Sequence, residues 1–364
     1  MANTYIVQTP AMTGYTDITE ATVAAEKKLL ARAQYDLSLE RVLQVSPQEQ
    51  NKGPTRTFKR LELTNMLNAI APMAEGVTPN GQKLVDTDVP VTLTQHGDIV
   101  YTTDKLLIVN GWGVEIRKDI PNLLGEEFGL TVETLRWTTF LAGSKVRRQG
   151  GVATRAEVAG RVTEADLLAM ERSLFNDGAK EIAQINKAGP DIATEPVAKG
   201  FWAFMHTNLI ADISKITGFT PVEKYASQKD VQPGEIGKYR SFRFIAQRHF
   251  TPPTAWLAAG VVGTALLSAG EAPATEAACD VYPILFVGRN ALAGVPLQGY
   301  GAVSLKIKEV GTVDGSDPLG QRGSYGWLTW QGSVILNDAF LGRLEVGVSV
   351  DPTAATSINV PAGS

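Results

Sequence analysis

A long two-armed segment, residues 54 to 106, constrains the fold of this 364-residue chain more than any other part of the sequence. Its middle, the Gly-, Pro- and Asn-rich stretch 75–82 (EGVTPNGQ), predicts a turn. The returning arm places Val89, Val91 and Leu93 at every second position. Because side chains alternate between the two faces of a strand, this spacing predicts a two-stranded ribbon with one apolar face.

A ribbon of this length is at best marginally stable by itself, so its apolar face needs another surface. Two alternatives follow from the sequence. The ribbon packs on its own chain, or it reaches a neighbouring subunit. Phe58, Leu61 and Leu63 in the first arm, and Ile99 and Tyr101 in the second, supply apolar side chains for either contact.

An amphipathic helix is predicted over residues 18–43, after a loose Thr-rich arm at the N-terminus. Its apolar residues recur at helical intervals with charged residues between them. Such a helix needs a partner surface for Leu29, Leu30, Leu37 and Leu39, because burial of the apolar stripe supplies most of its stability.

Two further helices are predicted in the middle of the chain. Residues 114–144 have the strongest three- and four-residue apolar pattern, and Gly125 and Gly129 within it predict close packing or a bend. Residues 163–183 begin at Thr163, with an acidic residue at the third helical position that forms an approximate capping box.

The rest of the chain predicts mainly strands. Residues 200–216 indicate an apolar strand that breaks into a helix, and residues 234–250 and 280–297 indicate strands joined by turns. Residues 302–311 alternate, and we expect them to pair with the long strand inside residues 315–346. The predicted fold class is therefore α+β, with two long extensions near the N-terminus.

Composition bounds the class of protein. An apolar fraction of 44% is ample for a large core, and the length exceeds one average domain, so we expect two or more lobes. The net charge of −4 and the dispersed basic residues argue against direct DNA binding. Cys279 is the only cysteine, which excludes an intramolecular disulfide and a Cys/His zinc module.

Targeting signals are weak. The start MANTYIVQTP lacks a basic region followed by an apolar core, so we expect no secretory signal and folding in the cytoplasm. The uncharged run 250–270 approaches the length of a membrane span, but its prolines and glycines favour a loop or a buried segment.

Two catalytic patterns nearly fit the stretch GSDPLGQRGSYG, and both fail. Gly315 and Gly320 have the spacing of a phosphate-binding loop, but Gln321 and Arg322 stand where Lys and Ser or Thr are required. A nucleophile elbow needs a glycine two residues before Ser324, where the sequence has arginine.

The sequence evidence for other catalytic groups is equally weak. His96, His206 and His249 are scattered, so we predict packed or surface histidines rather than metal ligands or bases. Glu126 and Glu127 are adjacent on a predicted helix and diverge, which gives no glycosidase pair. We predict no catalytic, cofactor or metal site. An unrecognised hydrolase stays open as an alternative if residues distant in sequence converge.

Several phrases resemble those of a known family. They are AEKKLLARAQYDLSLERV, EGVTPNGQKL, QHGDIVYTTDKL, PGEIGKYRSFRFI and DPLGQRGSYGWLTWQGSVILNDAFLGRLEV, spread from residue 25 to 346. In this order they closely resemble the major capsid protein family typified by phage N-four, and the order of elements resembles the Hong Kong 97 fold of tailed-phage capsids. Residues 251–279 depart from the family in being longer and richer in Ala and Gly.

The resemblance implies a division of the chain into named parts. These are an N-arm (1–48), an extended E-loop (49–106), a peripheral domain with a long spine helix (107–199), an axial domain (200–298), the peripheral domain's C-terminal strands (299–351) and a C-terminal tail (352–364).

The resemblance implies a structural protein rather than an enzyme. Its copies would assemble as pentamers and hexamers into an icosahedral shell around double-stranded phage DNA, without sequence-specific DNA binding, cofactor or membrane. The protein would be located in the virion after assembly in the host cytoplasm, and the resemblance leaves scaffold, portal and decoration proteins open as partners. A nanocompartment shell that encloses protein cargo is the alternative.

On this interpretation, contacts between subunits involve the arm, the ribbon tip and the loop near the C-terminus. We expect the ribbon and the glycine-containing helix to bend differently in pentamers and hexamers. The subunit-contact candidates are Leu29, Leu30, Arg32, Glu75, Gly76, Pro79, Asn80, Gly81, Asp317, Gln321 and Arg322.

Overall fold

The structure is a computed structural model, and its described parts cover most of the chain between residues 37 and 349. The described residues are 37–63, 75–76, 83–108, 113–187, 193–225, 231–257, 259–261, 267–268, 272–273, 278–298, 304–313, 315 and 317–349. The α-helices are α1 Asp104–Ile108, α2 Gly113–Phe140, α3 Glu164–Asn176 and α4 Ile210–Ser214.

The strands are numbered in chain order. They are β1 Gln44–Val45, β2 Thr55–Leu63, β3 Leu84–Thr92, β4 Thr94–Thr103, β5 Val146–Arg148, β6 Ile182–Lys187, β7 Ala193–His206, β8 Thr220–Pro221, β9 Glu235–Tyr239, β10 Phe242–Gln247, β11 Gly260–Val261, β12 Leu267–Ser268, β13 Ala272–Pro273, β14 Ala278–Cys279, β15 Val281–Val287, β16 Leu292–Pro296, β17 Ser304–Lys308, β18 Arg322–Ile335 and β19 Leu341–Gly347.

The first sheet has five strands and is built around β18. Strands β17 and β4 flank the first part of β18 on opposite edges, and β16 pairs with its last part, all antiparallel. Strand β1 extends the sheet by pairing parallel with β16. The predicted pairing of residues 302–311 with the long strand is therefore confirmed.

Helix α2 packs on one face of this sheet. Its buried residues Ile120, Leu124, Phe128 and Val132 recur every fourth position, which places them on one face of a helix. Phe128 meets Trp327 of β18 edge to face, with ring centroids 5.4 Å apart. Burial of each such side chain contributes about 1.5 to 3 kcal/mol, so this contact fixes the helix on the sheet.

The second sheet has eight strands in the order β5-β19-β15-β7-β10-β9-β8, with β6 paired to β7. Every residue of β15 is buried, because both faces of the central strands are covered. Helix α3 covers one face with Leu167, Met170 and Leu174. The end of α2 covers the other face with Trp137 and Phe140, so α2 joins the two sheets.

A hairpin extends from the first sheet. Strands β2 and β3 pair antiparallel from Thr55–Thr92 to Leu63–Leu84. Only Leu93 separates β3 from β4, so the chain passes from the hairpin directly into the sheet. Leu93 is buried, and its backbone N–H donates to the carbonyl oxygen of Pro54 at 2.8 Å.

The predicted ribbon is confirmed for its first arm and for half of its return. The prediction is wrong for the other half of the return. Ile99 and Tyr101 belong to β4, which pairs with Arg322–Gln331 of its own chain. A strand that alternates in the same way as its predecessor gives no sequence signal that it has changed partner.

The predicted helices are confirmed with shifted ends. Helix α2 matches residues 114–144, and Gly125 and Gly129 are both buried in it. Helix α3 begins after Thr163, whose side chain accepts from the backbone N–H of the third helical residue, as predicted. It ends at Asn176 rather than at residue 183, because Gly178 takes a positive φ of 72° before β6 begins.

Two other predictions fall partly outside the described residues. The helix over 18–43 is described only from residue 37, where Leu39–Val42 form a 3-10 turn rather than α-helix. The run 250–270 includes a 3-10 turn, Thr254–Trp256. No helix in the described parts of the chain is long and apolar enough to cross a membrane.

Candidate subunit interface

The hairpin has a buried base and an exposed far end. Near the base, Val91 and Val295 are buried with Phe58 packed against them, and Arg60 Nη1 donates to the carbonyl oxygen of Leu336 at 3.2 Å. Farther out, Leu61 is 58% exposed and Leu84 is 55% exposed. Apolar side chains at an exposed strand pair suit a contact with another surface.

The two faces of the hairpin differ. Directly paired residues share a face, so Leu61 lies on the same face as Asp86, and Leu84 lies two residues before Asp86 on that face. Phe58, which packs at the base, lies on the opposite face. Lys59 lies on the exposed face and pairs with Asp86 at 2.8 Å. The exposed leucines are therefore not part of the contact with the hairpin's own chain.

The predicted contact residues at the arm and the ribbon tip are only partly described. Glu75 and Gly76 lie in an exposed turn, where Gly76 has a φ of 80° that favours glycine. The remaining ones, Leu29, Leu30, Arg32, Pro79, Asn80 and Gly81, lie outside the described residues.

The loop between β17 and β18 brings the other three candidates together. The Asp317 carboxylate accepts the Arg322 backbone N–H at 2.7 Å, and this hydrogen bond lowers the pKa of Asp317. The Gln321 carbonyl accepts the Asp104 N–H at 3.0 Å. Asp317 is buried by these contacts within its own chain, whereas Gln321 and Arg322 are exposed.

A groove of about 590 Å³ lies beside this loop on the face of the first sheet opposite α2. Ile99 and Tyr101 of β4 line it together with Lys308 and Arg322. Tyr101 is 71% exposed, and Leu319 on the neighbouring loop is 78% exposed. Within the described parts of the chain, no strand pairs with the outer edge of β4, so this end of the sheet offers apolar side chains and open backbone groups.

Replacement of Asp317 by alanine should loosen the loop without changing the core. The Arg322 N–H loses its acceptor, so the loop opens more often. We expect trypsin to cleave after Arg322 several-fold faster than in the unchanged protein. Glu309→Ala, which removes an exposed carboxyl from the same loop, is the matched control and should leave the rate unchanged. An equal rate in both variants would contradict the role of Asp317.

A buried carboxyl connects the N-terminal part of the chain to α2. Glu133 is fully buried, and its Oε1 accepts the Ser38 hydroxyl at 3.0 Å and the Leu39 N–H at 2.5 Å. Burial raises the pKa of Glu133 to about 7, although nearby Arg136 opposes the rise. One weak signal for this contact is visible in the sequence, a Glu–Arg pair three residues apart beside the buried stripe of α2.

A second buried carboxyl lies on β19, next to the edge strand β5 of the eight-stranded sheet. Glu345 is fully buried and lies between three guanidinium groups, of Arg148 at 3.1 Å, Arg155 at 2.8 Å and Arg343 at 3.1 Å. The Arg155 guanidinium also stacks over the Trp256 ring at 3.8 Å. Burial lowers the pKa of Arg343 while Glu345 raises it. This cluster joins residues far apart in sequence, so no local motif could have predicted it.

No arrangement of catalytic groups is found among the described residues. They contain no group of three or more His, Cys, Asp or Glu that could hold a metal ion. Glu127 accepts the Trp327 indole N–H at 3.3 Å and is hydrogen-bonded to Asp98, which raises the pKa of Glu127 further than burial alone. Burial lowers the pKa of His249 to about 4.

Solved phage capsid structures share this architecture. The capsid of cyanophage Pam1 matches with 17% identity and a TM-score of 0.55, over 85% of this chain and 89% of that chain. The head of Helicobacter pylori bacteriophage KHP40 matches with 11% identity and a TM-score of 0.55, over 85% and 88%. The capsid of Ralstonia phage GP4 matches with 13% identity and a TM-score of 0.53, over 85% and 88%. The chain has the Hong Kong 97 fold.

The Hong Kong 97 fold agrees with the predicted α+β class. No protein-family model matches the sequence, and no curated protein matches it. The narrower resemblance to the phage N-four family, the limits of the named domains and the individual subunit-contact residues therefore stay predictions.

Proposed function

We propose that this chain is a major capsid protein whose copies assemble as pentamers and hexamers into an icosahedral shell around double-stranded DNA. The observation that carries the proposal is the Hong Kong 97 fold, shared over 85% of the chain with proteins of three phage capsids or heads. The exposed leucines of the hairpin support it, because they lie on the face that does not pack on its own chain.

The assembly mechanism rests on many weak contacts. The hairpin and the residues before the first sheet would each reach a different neighbour, so every further contact forms at high effective concentration. A closed shell leaves no free edge, which stabilises it beyond any single contact. The net charge of −4 suits a container that does not bind DNA tightly, because a strongly basic lining would immobilise the phosphate backbone.

The first experiment is sedimentation velocity and negative-stain electron microscopy of the protein expressed alone. We expect shells, rings or curved sheets with masses many times the 39.0 kDa of one chain. Shells that contain host proteins but no nucleic acid, when isolated from phage-infected cells, would favour the nanocompartment alternative. A compact monomer at high concentration, with its hairpin protected from protease, would contradict both.

A further inference from the structure

The segment 37–43, named the connector here, is the first described part of the chain and precedes the first sheet. Leu37 packs against Ile120 and Leu124 of α2, and Leu39 and Leu43 are buried in the cluster that contains Trp137. The connector therefore lies along α2, and its attachment fixes the position of residue 37 on the subunit.

One polar contact in this attachment is chemically unusual. The Glu133 carboxyl accepts two hydrogen bonds from the connector, and both go to Oε1. Its other oxygen, Oε2, is buried and accepts no hydrogen bond from any residue in the described parts of the chain. The nearest cation, Arg136 Nη1, lies 3.9 Å away from Oε2.

Arg136 is already engaged elsewhere. Its Nη1 lies 3.4 Å from Glu40 Oε2 on the connector, and its Nη2 donates to Gln331 Oε1 on β18 at 3.0 Å. The charged groups that act on Glu133 are thus Arg136 from its own helix and Glu40 from the connector, while the sheet contributes the uncharged Gln331. A neutral carboxyl fits this site better than a charged one, because a buried charge needs a partner for both oxygens.

We propose that Glu133 is a proton-dependent latch that holds the connector on α2 when protonated and releases it when ionised. The structure supports this because the buried Glu133 carboxyl accepts its hydrogen bonds at Oε1 only. For assembly, which rests on the proposed function, the latch would control how freely the N-terminal arm can reach a neighbouring subunit.

The direction of the pH effect follows from proton linkage. The pKa of Glu133 is raised from the ordinary 4.5 to about 7 in the docked state, so docking takes up a proton between these values. Docking is therefore strongest below pH 4.5, weakens as pH rises to about 7 and is constant above that. For these pKa values, docking is roughly 25- to 30-fold weaker at pH 8 than at pH 5.5.

The test is hydrogen exchange of the full-length protein, held unassembled at low concentration, at pH 5.5 and pH 8. Amide protection of the connector, corrected for the intrinsic exchange rate at each pH, should fall roughly 25- to 30-fold in the unchanged protein. Glu133→Gln keeps the shape without the charge, and its protection should change less than twofold. Glu40→Gln is the matched control, and it should keep most of the pH effect, because burial raises the pKa of Glu133 more than the charge of Glu40 does.

Two outcomes would overturn the latch. The first is a flat pH profile in the unchanged protein, which decides the question even if Glu133→Gln does not fold. The second is an effect that persists in Glu133→Gln and disappears in Glu40→Gln. Shell formation is scored separately in the same samples at high concentration. Shells with a pH-insensitive connector would refute only the latch, and a pH-sensitive connector without shells would refute only the proposed capsid function.

Discussion

Replacement of Leu61 and Leu84 together by glutamate is expected to prevent shell assembly while the subunit stays folded. Burial of two leucines at a contact contributes about 3 to 6 kcal/mol, and two carboxylates in their place would have to lose their hydration. We therefore expect the protein concentration needed for shells to rise at least about a hundredfold. Light scattering and negative-stain microscopy over a concentration series would measure this.

The control for this experiment lies on the same strand. Thr57→Glu adds one carboxylate to the same face of β2, four residues nearer the base than Leu61, and should leave assembly close to that of the unchanged protein. Since both leucines are exposed in the subunit, the change in its free energy of unfolding should stay within about 0.5 kcal/mol. Normal shells from the double variant would show that this part of the hairpin does not contact a neighbour.

Replacement of Glu345 by alanine is expected to lower the free energy of unfolding by about 3 to 5 kcal/mol. The change leaves the guanidinium groups of Arg148, Arg155 and Arg343 close together without their shared carboxylate, and Arg343 is buried. Their mutual repulsion and the lost hydrogen bonds both favour unfolding. Urea denaturation of unassembled subunits gives the value directly.

A matched substitution distinguishes the effect of losing this cluster from the effect of losing any one carboxylate. Glu309→Ala removes an exposed carboxyl and should change the urea midpoint little. Glu345→Leu restores volume but not charge, and it should be as unstable as the alanine variant if repulsion between the arginines dominates. A urea midpoint for Glu345→Ala equal to that of the unchanged protein would show that the three arginines find other partners.

Local sequence patterns could predict the elements in which the spacing of apolar residues follows directly from which side chains are buried. Helix α2 follows from apolar residues four apart, and the start of α3 follows from the cap at Thr163. The pairing of β17 with β18 could be predicted because the two strands are neighbours along the chain. Each of these signals lies within about twenty residues of sequence.

The parts that could not be predicted depend on residues brought together only by the fold. Strand β4 pairs with a strand more than two hundred residues away, and its alternation is the same whichever partner it has. Glu133 and Glu345 look like ordinary charged residues in sequence, yet both are fully buried. Burial of a carboxyl depends on distant donors such as Ser38 or Arg148, and composition does not reveal these donors.

Only one residue, the buried Leu93, separates β3 from β4, so the return strand of the hairpin continues directly into the first sheet. A flexible linker would let the hairpin move independently of the sheet. The single residue Leu93 does not act as one, because it is buried and hydrogen-bonded to Pro54. Any force that a neighbouring subunit applies to the far end is transmitted along β4 to β18, and from there to α2 through Phe128 and Trp327. In the proposed shell, strain from shell curvature or internal pressure would therefore reach the sheet and helix of each subunit.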